Sequence, residues 1–321
     1  MRHARQIALP QVGPGGQARL AAARVLVVGA GGLGVPVLQY LAGAGVGRIT
    51  LVDPDRVEET NLHRQPLYAM ADLGAPKAEA AARRLVALDP AVTVTPRVEW
   101  LDPANAPGLV AASDVVLDCA DTFAVGLTLS DACMDAGKPL ITASALGLAG
   151  YSAGCCGAAP SLRALFPDLP ANAATCATAG VSGPVVGTIG ALQAQMALSV
   201  LLGLAPSPLG RLVSFDAAGW RMGGFRFDRA PEPTRPLRFI ARGQITPGDL
   251  LIDLRAEAQP FAPAARHIPP GAIARLSPPH GARVVLACRT GLRAHNAGQS
   301  LQSRWPGEIA LLAIPDQEIT P

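Results

Sequence analysis

Residues 25–34 read Val25-Leu26-Val27-Val28-Gly29-Ala30-Gly31-Gly32-Leu33-Gly34. A short apolar run between Arg24 and a glycine cluster is the pattern of a buried parallel strand. The stretch from Leu33 to Ala44 then reads as helix. Glycines at this junction permit a tight turn, let the backbone approach a phosphate and bring helix and strand close. The helix start adds unpaired N–H groups and a positive dipole end. Asp53 ends a second strand, Arg48–Val52, about 20 residues on, where an acid suits a ribose hydroxyl pair. A nucleotide is implied, and a NAD-dependent oxidoreductase fits this much equally well.

Further along, Ala75–Leu88 reads as an amphipathic helix ended by Asp89-Pro90, and Val92–Val98 and Asp114–Cys119 as strands. A helix closes at Met134–Gly137, and Pro139–Ala143 returns to strand. Ser152–Ser161 is less regular, and Ser207–Gly219 looks like a late strand and turn. Alternating strands and helices predict an α/β fold with a doubly wound, mainly parallel, Rossmann-like sheet. The segment 228–238, Asp228 to Arg238, is charged and proline-rich, as a stiff linker would be. Leu250–Leu254 and Arg283–Ala287 are strand-like runs in the tail. The expected division is therefore 1–227, a linker 228–238, and a small α/β domain 239–321.

Composition narrows the class. Net charge is +3 and charged residues make up 16% of 321, too little basic field for bulk nucleic-acid binding. The hydrophobic half of the chain excludes disorder. No secretory signal opens the chain, so a cytoplasmic location and free thiols are expected. No charged residue or histidine lies between Leu169 and Gly210. Val185–Leu204 is long enough to span a bilayer, but Gln193, Gln195 and missing interfacial flanks favour a buried helix and no membrane.

Of the 27 Lys and Arg residues only Lys77 and Lys138 are lysines. Lys77 opens a helix after Ala75-Pro76, and Asn61-Leu62-His63-Arg64-Gln65 lies just past the second strand. Asp118-Cys119-Ala120-Asp121-Thr122 sits at the carboxyl end of a later strand, the ligand edge of such a sheet. Two separated cations and an acid suit a triphosphate and its Mg2+ better than NAD.

These motifs, with Arg5-Gln6-Ile7 and Asp53-Pro54-Asp55, occur in the order and spacing of one family. The chain resembles the molybdopterin-synthase and thiamine-biosynthesis adenylyltransferases of the ThiF/MoeB type, bacterial relatives of ubiquitin-activating enzymes, over residues 2 to about 227. The resemblance implies that Gly29, Gly31, Gly32 and Gly34 cradle ATP and that Asp53 binds its ribose. It implies that Asn61, Arg64 and Lys77 hold phosphates, and that Asp121, beside Thr122, organises Mg2+ and the reacting groups. Relatives carry Asn in place of Thr122. The arginine matching Arg5 reaches the γ-phosphate from a partner subunit, which implies a homodimer. The implied reaction joins the C-terminal carboxylate of a small ubiquitin-like, Gly-Gly-ended sulfur carrier to the α-phosphate of ATP.

Cys176, in Thr175-Cys176-Ala177-Thr178, resembles the family's active-site cysteine. Relatives hold a structural zinc with two CxxC pairs. Ser161-Leu162-Arg163-Ala164 takes the place of the first, and no cysteine lies between Cys176 and Cys288 for the second. Adjacent Cys155 and Cys156 make a poor chelate, so no structural zinc is expected, and Cys119 and Cys133 read as core thiols. Cys288-Arg289-Thr290-Gly291-Leu292-Arg293 follows a strand and precedes a helix near Ala294. N–H groups and arginines there favour a thiolate or persulfide. With Asp253-Leu254-Arg255 and His267-Ile268-Pro269, the tail is similar to a short rhodanese domain. The fusion implies sulfur transfer to the activated carrier, with a persulfide donor such as a cysteine desulfurase upstream. A non-catalytic dimeric scaffold of the same fold is the remaining alternative.

Overall fold

The computed structural model describes residues 2–170, 180–255 and 261–314. Five strands form the parallel part of a large sheet: β1 Arg24–Val28, β2 Arg48–Val52, β3 Thr93–Arg97, β4 Val115–Asp118 and β5 Pro139–Leu146. Three antiparallel strands extend it: β6 Ala149–Cys156, β7 Arg211–Asp216 and β8 Arg221–Arg226. The strand order is β3-β2-β1-β4-β5-β6-β7-β8. The sheet is doubly wound and mainly parallel, as expected. Chain order reverses at β1, whose neighbours are β2 and β4, and such a switch opens a crevice at the strands' carboxyl ends.

Alternation along β1 sorts its side chains onto two faces. Val25 and Val27 join a core with the helices α3 (Gly34–Gly43), α4 (Lys77–Leu88) and α8 (Gly183–Leu202). Leu26 and Val28 face the other way, with α5 (Ala106–Ala111) and α6 (Phe123–Ala136). The uncharged α8 packs on α3, β5 and β6. It is long and apolar enough to cross a bilayer by composition, and half of its most apolar stretch is buried inside the chain.

Ser152–Ser161, read as less regular, begins as strand: β6 runs to Cys156 and pairs on both sides, and turn follows. Glycine and cysteine dilute its apolar alternation, so position in the sheet rather than pattern makes it a strand.

A second sheet has the order β10-β9-β11-β12 and is parallel throughout. Its strands are β9 Leu250–Asp253, β10 Arg266–His267, β11 Val284–Cys288 and β12 Ile309–Ala313, with helix α9 Leu292–Gln302 after β11. Ile252, Val284, Leu286, Cys288 and Leu311 point toward the large unit and share its α5–α6 core. The opposite face holds Leu251, Val285, Ala287 and Leu312. The segment 228–238 is fastened down: Ser161 N and Oγ each donate at 2.6 Å to the Glu232 carboxylate, and Arg238 pairs with Asp135 on α6. Its Arg235 carbonyl also accepts from Gln302 Nε2 at 3.0 Å, so the segment is bonded to the second sheet's helix as well.

Glu232→Ala is expected to lower stability by about 2 kcal/mol, the worth of two charge-assisted bonds less their solvation. Urea denaturation would show it, and an unchanged midpoint would remove the clamp from the account.

Candidate functional site

The glycine turn sits at the switch between β1 and β4. Gly29 has φ +100°, and a Cβ on it would lie 2.6 Å from the Cys119 carbonyl oxygen. A Cβ on Gly34 would collide with the Gly29 carbonyl. The turn closes so tightly only because both positions lack a side chain. Asp53 braces it from β2, accepting the Ala30 N–H at 2.6 Å and the Asp55 N–H at 2.8 Å. Tyr68 Oη donates to the Ala30 carbonyl at 2.8 Å.

Burial pushes the Asp53 carboxyl up to about 6, although the Lys77 charge pulls it down. A ribose diol is best held by an ionised carboxylate, which accepts from both hydroxyls. Nucleotide affinity is therefore expected to fall as pH drops from 7.5 through about 6. Calorimetric titrations of ATP across that range would test this, and a flat profile from pH 5 to 7.5 would assign Asp53 to the fold alone.

Residues 61–65 lie across the turn. Were Gly32 to carry a Cβ, Arg64 Cγ would stand 3.6 Å from it, and Gln65 Nε2 would stand 3.7 Å from one on Gly31. Buried Asn61 donates to Glu58 at 3.1 Å and accepts from Gln65 at 3.0 Å. Arg64 is half-buried and donates to the Thr60 carbonyl at 3.1 Å. Lys77 is no solvated surface charge: it is 5% exposed, and its Nζ lies 2.9 Å from Asp55 Oδ2. One ammonium proton faces Asp55, and two remain for a phosphate.

The Asp118–Thr122 turn adjoins Gly29 through the Cys119 carbonyl. Asp121 is exposed, and Thr122 rather than Asp121 is the N-cap of α6, without a side-chain cap bond. Asp118, quoted in the motif but given no role, is buried and accepts from Thr142 Oγ1 at 3.0 Å and Ala120 N at 3.2 Å. Burial raises it to about 7, and Asp121 adds to the rise. Gln193, also missed, is fully buried on α8; its amide donates to the Asp118 and Ile141 carbonyls at 2.7 and 2.9 Å. Its signal in the sequence was an amide in the middle of an uncharged helix, one of two with Gln195. As a single exposed oxygen donor, Asp121 fits Mg2+, which takes one or two carboxylates and completes its shell with phosphates and water.

Two expected residues are not gathered here, and a third cannot be placed. Arg5 lies in α1 (Ala4–Ile7), and its neighbour Gln6 donates to the Ala44 carbonyl at 2.8 Å, at the C-terminal end of α3. A ten-residue helix puts that end about 15 Å from the glycine turn. Within one chain Arg5 therefore belongs to the far side of α3. Cys176 lies outside the described residues. Cys288 ends β11 in the second sheet, with the Ala294 N–H pointing at its sulfur at 3.3 Å. The helix begins at Leu292, two residues before the expected start. Burial pushes the Cys288 thiol up, and the N–H groups of Ala294, Gly291, Arg293 and Thr290 pull it back down. Arg289 and Arg293 are exposed at the rim. Asp253 is buried and receives the Arg255 guanidinium at 2.9 Å and the Phe261 N–H at 3.1 Å. Cys119 and Cys133 are buried, as expected of core thiols, and so are Cys155 and Cys156. Among the described residues no three metal-ligating side chains are gathered.

A glycine turn at a strand-order switch, an acid closing β2 and two cations beside the turn define a nucleotide-binding protein of the doubly wound α/β class. The chain belongs to the ThiF family, whose description matches residues 3–236. It is 45% identical over 231 residues to "Adenylyltransferase and sulfurtransferase MOCS3" of Drosophila grimshawi, covering 70% of this chain and 51% of that protein. It is 41% identical over 237 residues to "SAMP-activating enzyme E1" of Haloferax volcanii, covering 73% and 86%. A third relative, "Sulfur carrier protein adenylyltransferase" of Thermus thermophilus, is 46% identical over 226 residues, covering 67% and 83%. The alignments to the MOCS3 relatives span about half the length of those proteins. Among solved structures, E. coli MccB with ATP shares the fold at TM-score 0.64 and 22% identity, covering 72% of this chain and 73% of that one.

Proposed function

We propose that this protein uses ATP to adenylate the C-terminal glycine carboxylate of a small ubiquitin-like sulfur-carrier protein, and that Cys288 then delivers sulfur to the activated carrier. The observation that carries the reading is the convergence of Gly29–Gly34, Asp53, Arg64, Lys77 and the Asp121 turn on one crevice. A triphosphate needs two cations and an acid beside the glycine turn, whereas a dinucleotide needs neither cation. The names of the relatives, which join adenylyltransferase to sulfurtransferase or sulfur carrier, support it.

The glycine turn and the N-terminus of α3 would receive the phosphates through N–H groups, and Asp53 the ribose. Arg64 and Lys77 would neutralise the charge that builds as a carboxylate oxygen attacks the α-phosphorus and pyrophosphate leaves. Asn61 would orient the phosphates. Asp121 would hold Mg2+, which when bound would supply charge neutralisation as pyrophosphate leaves. The residues' work is positioning and electrostatics, as in phosphoryl chemistry generally. Arg5 would complete the site from a second copy in a homodimer, consistent with its position on the far side of α3. Cys288 as a persulfide, loaded by a cysteine desulfurase or similar donor, would attack the acyl adenylate and release AMP; a thiol then frees the thiocarboxylate. Residues 1–227 would carry the first step and 239–321 the second, joined by 228–238, in the cytoplasm, with Cys176 a candidate for covalent participation.

Carrier-dependent exchange of labelled pyrophosphate into ATP is the test. Exchange that appears only with a Gly-Gly-ended carrier is expected, and its absence with every candidate carrier would overturn the reading.

A further inference from the structure

The first turn of a helix leaves its N–H groups without intrahelical partners. In α6, which follows directly from Asp121-Thr122, no side chain caps that turn. The Ala124 N–H is instead taken by the Thr290 carbonyl at 3.0 Å, from the loop between Cys288 and α9. Gly291 seals the contact: at φ +90°, a Cβ on it would lie 2.6 Å from Phe239 Cζ and 3.0 Å from both Ala124 N and Ala124 Cβ. Near its other end α6 is gripped again, Arg238 meeting the Asp135 carboxylate at 2.8 and 3.0 Å. Cys288, Leu286, Phe239, Ala124 and Leu127 belong to one core. Close-packed contacts of this kind do not deform continuously. A shift of the Cys288 loop must move the start of α6 or break away from it.

We propose that the Cys288 loop is a positioning element of the Asp121 turn, with Thr290 capping α6 so that the sulfur-transfer loop and the nucleotide site are energetically coupled in one chain. The proposal rests on the reading of Asp121 as part of a nucleotide site. Linkage makes the coupling reciprocal: whatever nucleotide does to the Cys288 loop, a change in that loop does to nucleotide affinity.

The test uses the full chain. ATP binding with Mg2+ is measured by calorimetry, and the rate of Cys288 alkylation by iodoacetamide is followed by peptide-resolved mass spectrometry with and without saturating nucleotide. Nucleotide is expected to change the Cys288 rate about fivefold or more. Ala124→Leu, which wedges Gly291 away, is expected to weaken ATP binding by a similar factor and to erase the nucleotide effect on Cys288. Should that variant fail to fold by circular dichroism, the native protein's rates decide alone. ATP that binds while changing the Cys288 rate by less than about 1.5-fold, far below typical couplings, overturns the coupling and leaves the site reading intact. No ATP binding to the native protein overturns both.

Discussion

Asp121→Asn is expected to reduce carrier-dependent pyrophosphate exchange by about a hundredfold or more, the scale seen when a group that stabilises developing charge is removed. Asp121 is exposed at the mouth of the crevice and makes no hydrogen bond or ion pair among the described residues. It is also not the cap of α6, since Thr122 holds that position. The substitution therefore removes the negative charge and one of two carboxylate oxygens while leaving packing alone, and surface changes of this kind shift stability by no more than about 0.5 kcal/mol. Melting and ATP binding without Mg2+ should match the native protein, so that the loss falls on the chemical step. A variant that exchanges pyrophosphate at the native rate would remove Asp121 from the site.

The largest effect on stability is expected at Asp131→Ala. Arg163 is 6% exposed and donates to both Asp131 oxygens, at 2.7 and 2.9 Å, fastening α7 (Leu162–Leu165) onto α6. Ser130 Oγ accepts the Leu162 N–H at 3.0 Å on the same face. Removing the carboxylate leaves a guanidinium buried without its counter-charge, a loss of about 3–5 kcal/mol. Paired replacement, Arg163→Met with Asp131→Leu, should recover most of it because neither charge is then stranded. Thermal and urea unfolding of the two variants beside the native protein would decide. A single variant as stable as the native protein would mean that the pair exchanges with water at no net gain.

Legibility of the site followed local physics. The glycine turn, Asp53 and the Asp118–Thr122 segment were readable because each depends on a strand end and the residues right after it. Lys77 was readable as a cation but not as a buried one, since its partner Asp55 comes from another loop. The roles of Asp118 and Gln193 were not readable because they are bonds to β5 and from α8, residues distant in sequence. The antiparallel β6 was missed for the same reason: its partners, rather than its pattern, hold it extended.

Sequence alone determined the order of strands and helices, the phosphate-binding turn and the acids and cations near it, because strand period, glycine chemistry and spacing act within about 20 residues. Tertiary structure decided how the units meet. The tail could have hung from a proline-rich tether; instead Glu232 and Arg238 pin that segment, one hydrophobic core runs beneath both sheets, and the Thr290 carbonyl caps the helix that leaves Asp121. Hydrogen bonds and close packing between residues more than 70 positions apart carry that arrangement, and no local pattern encodes them.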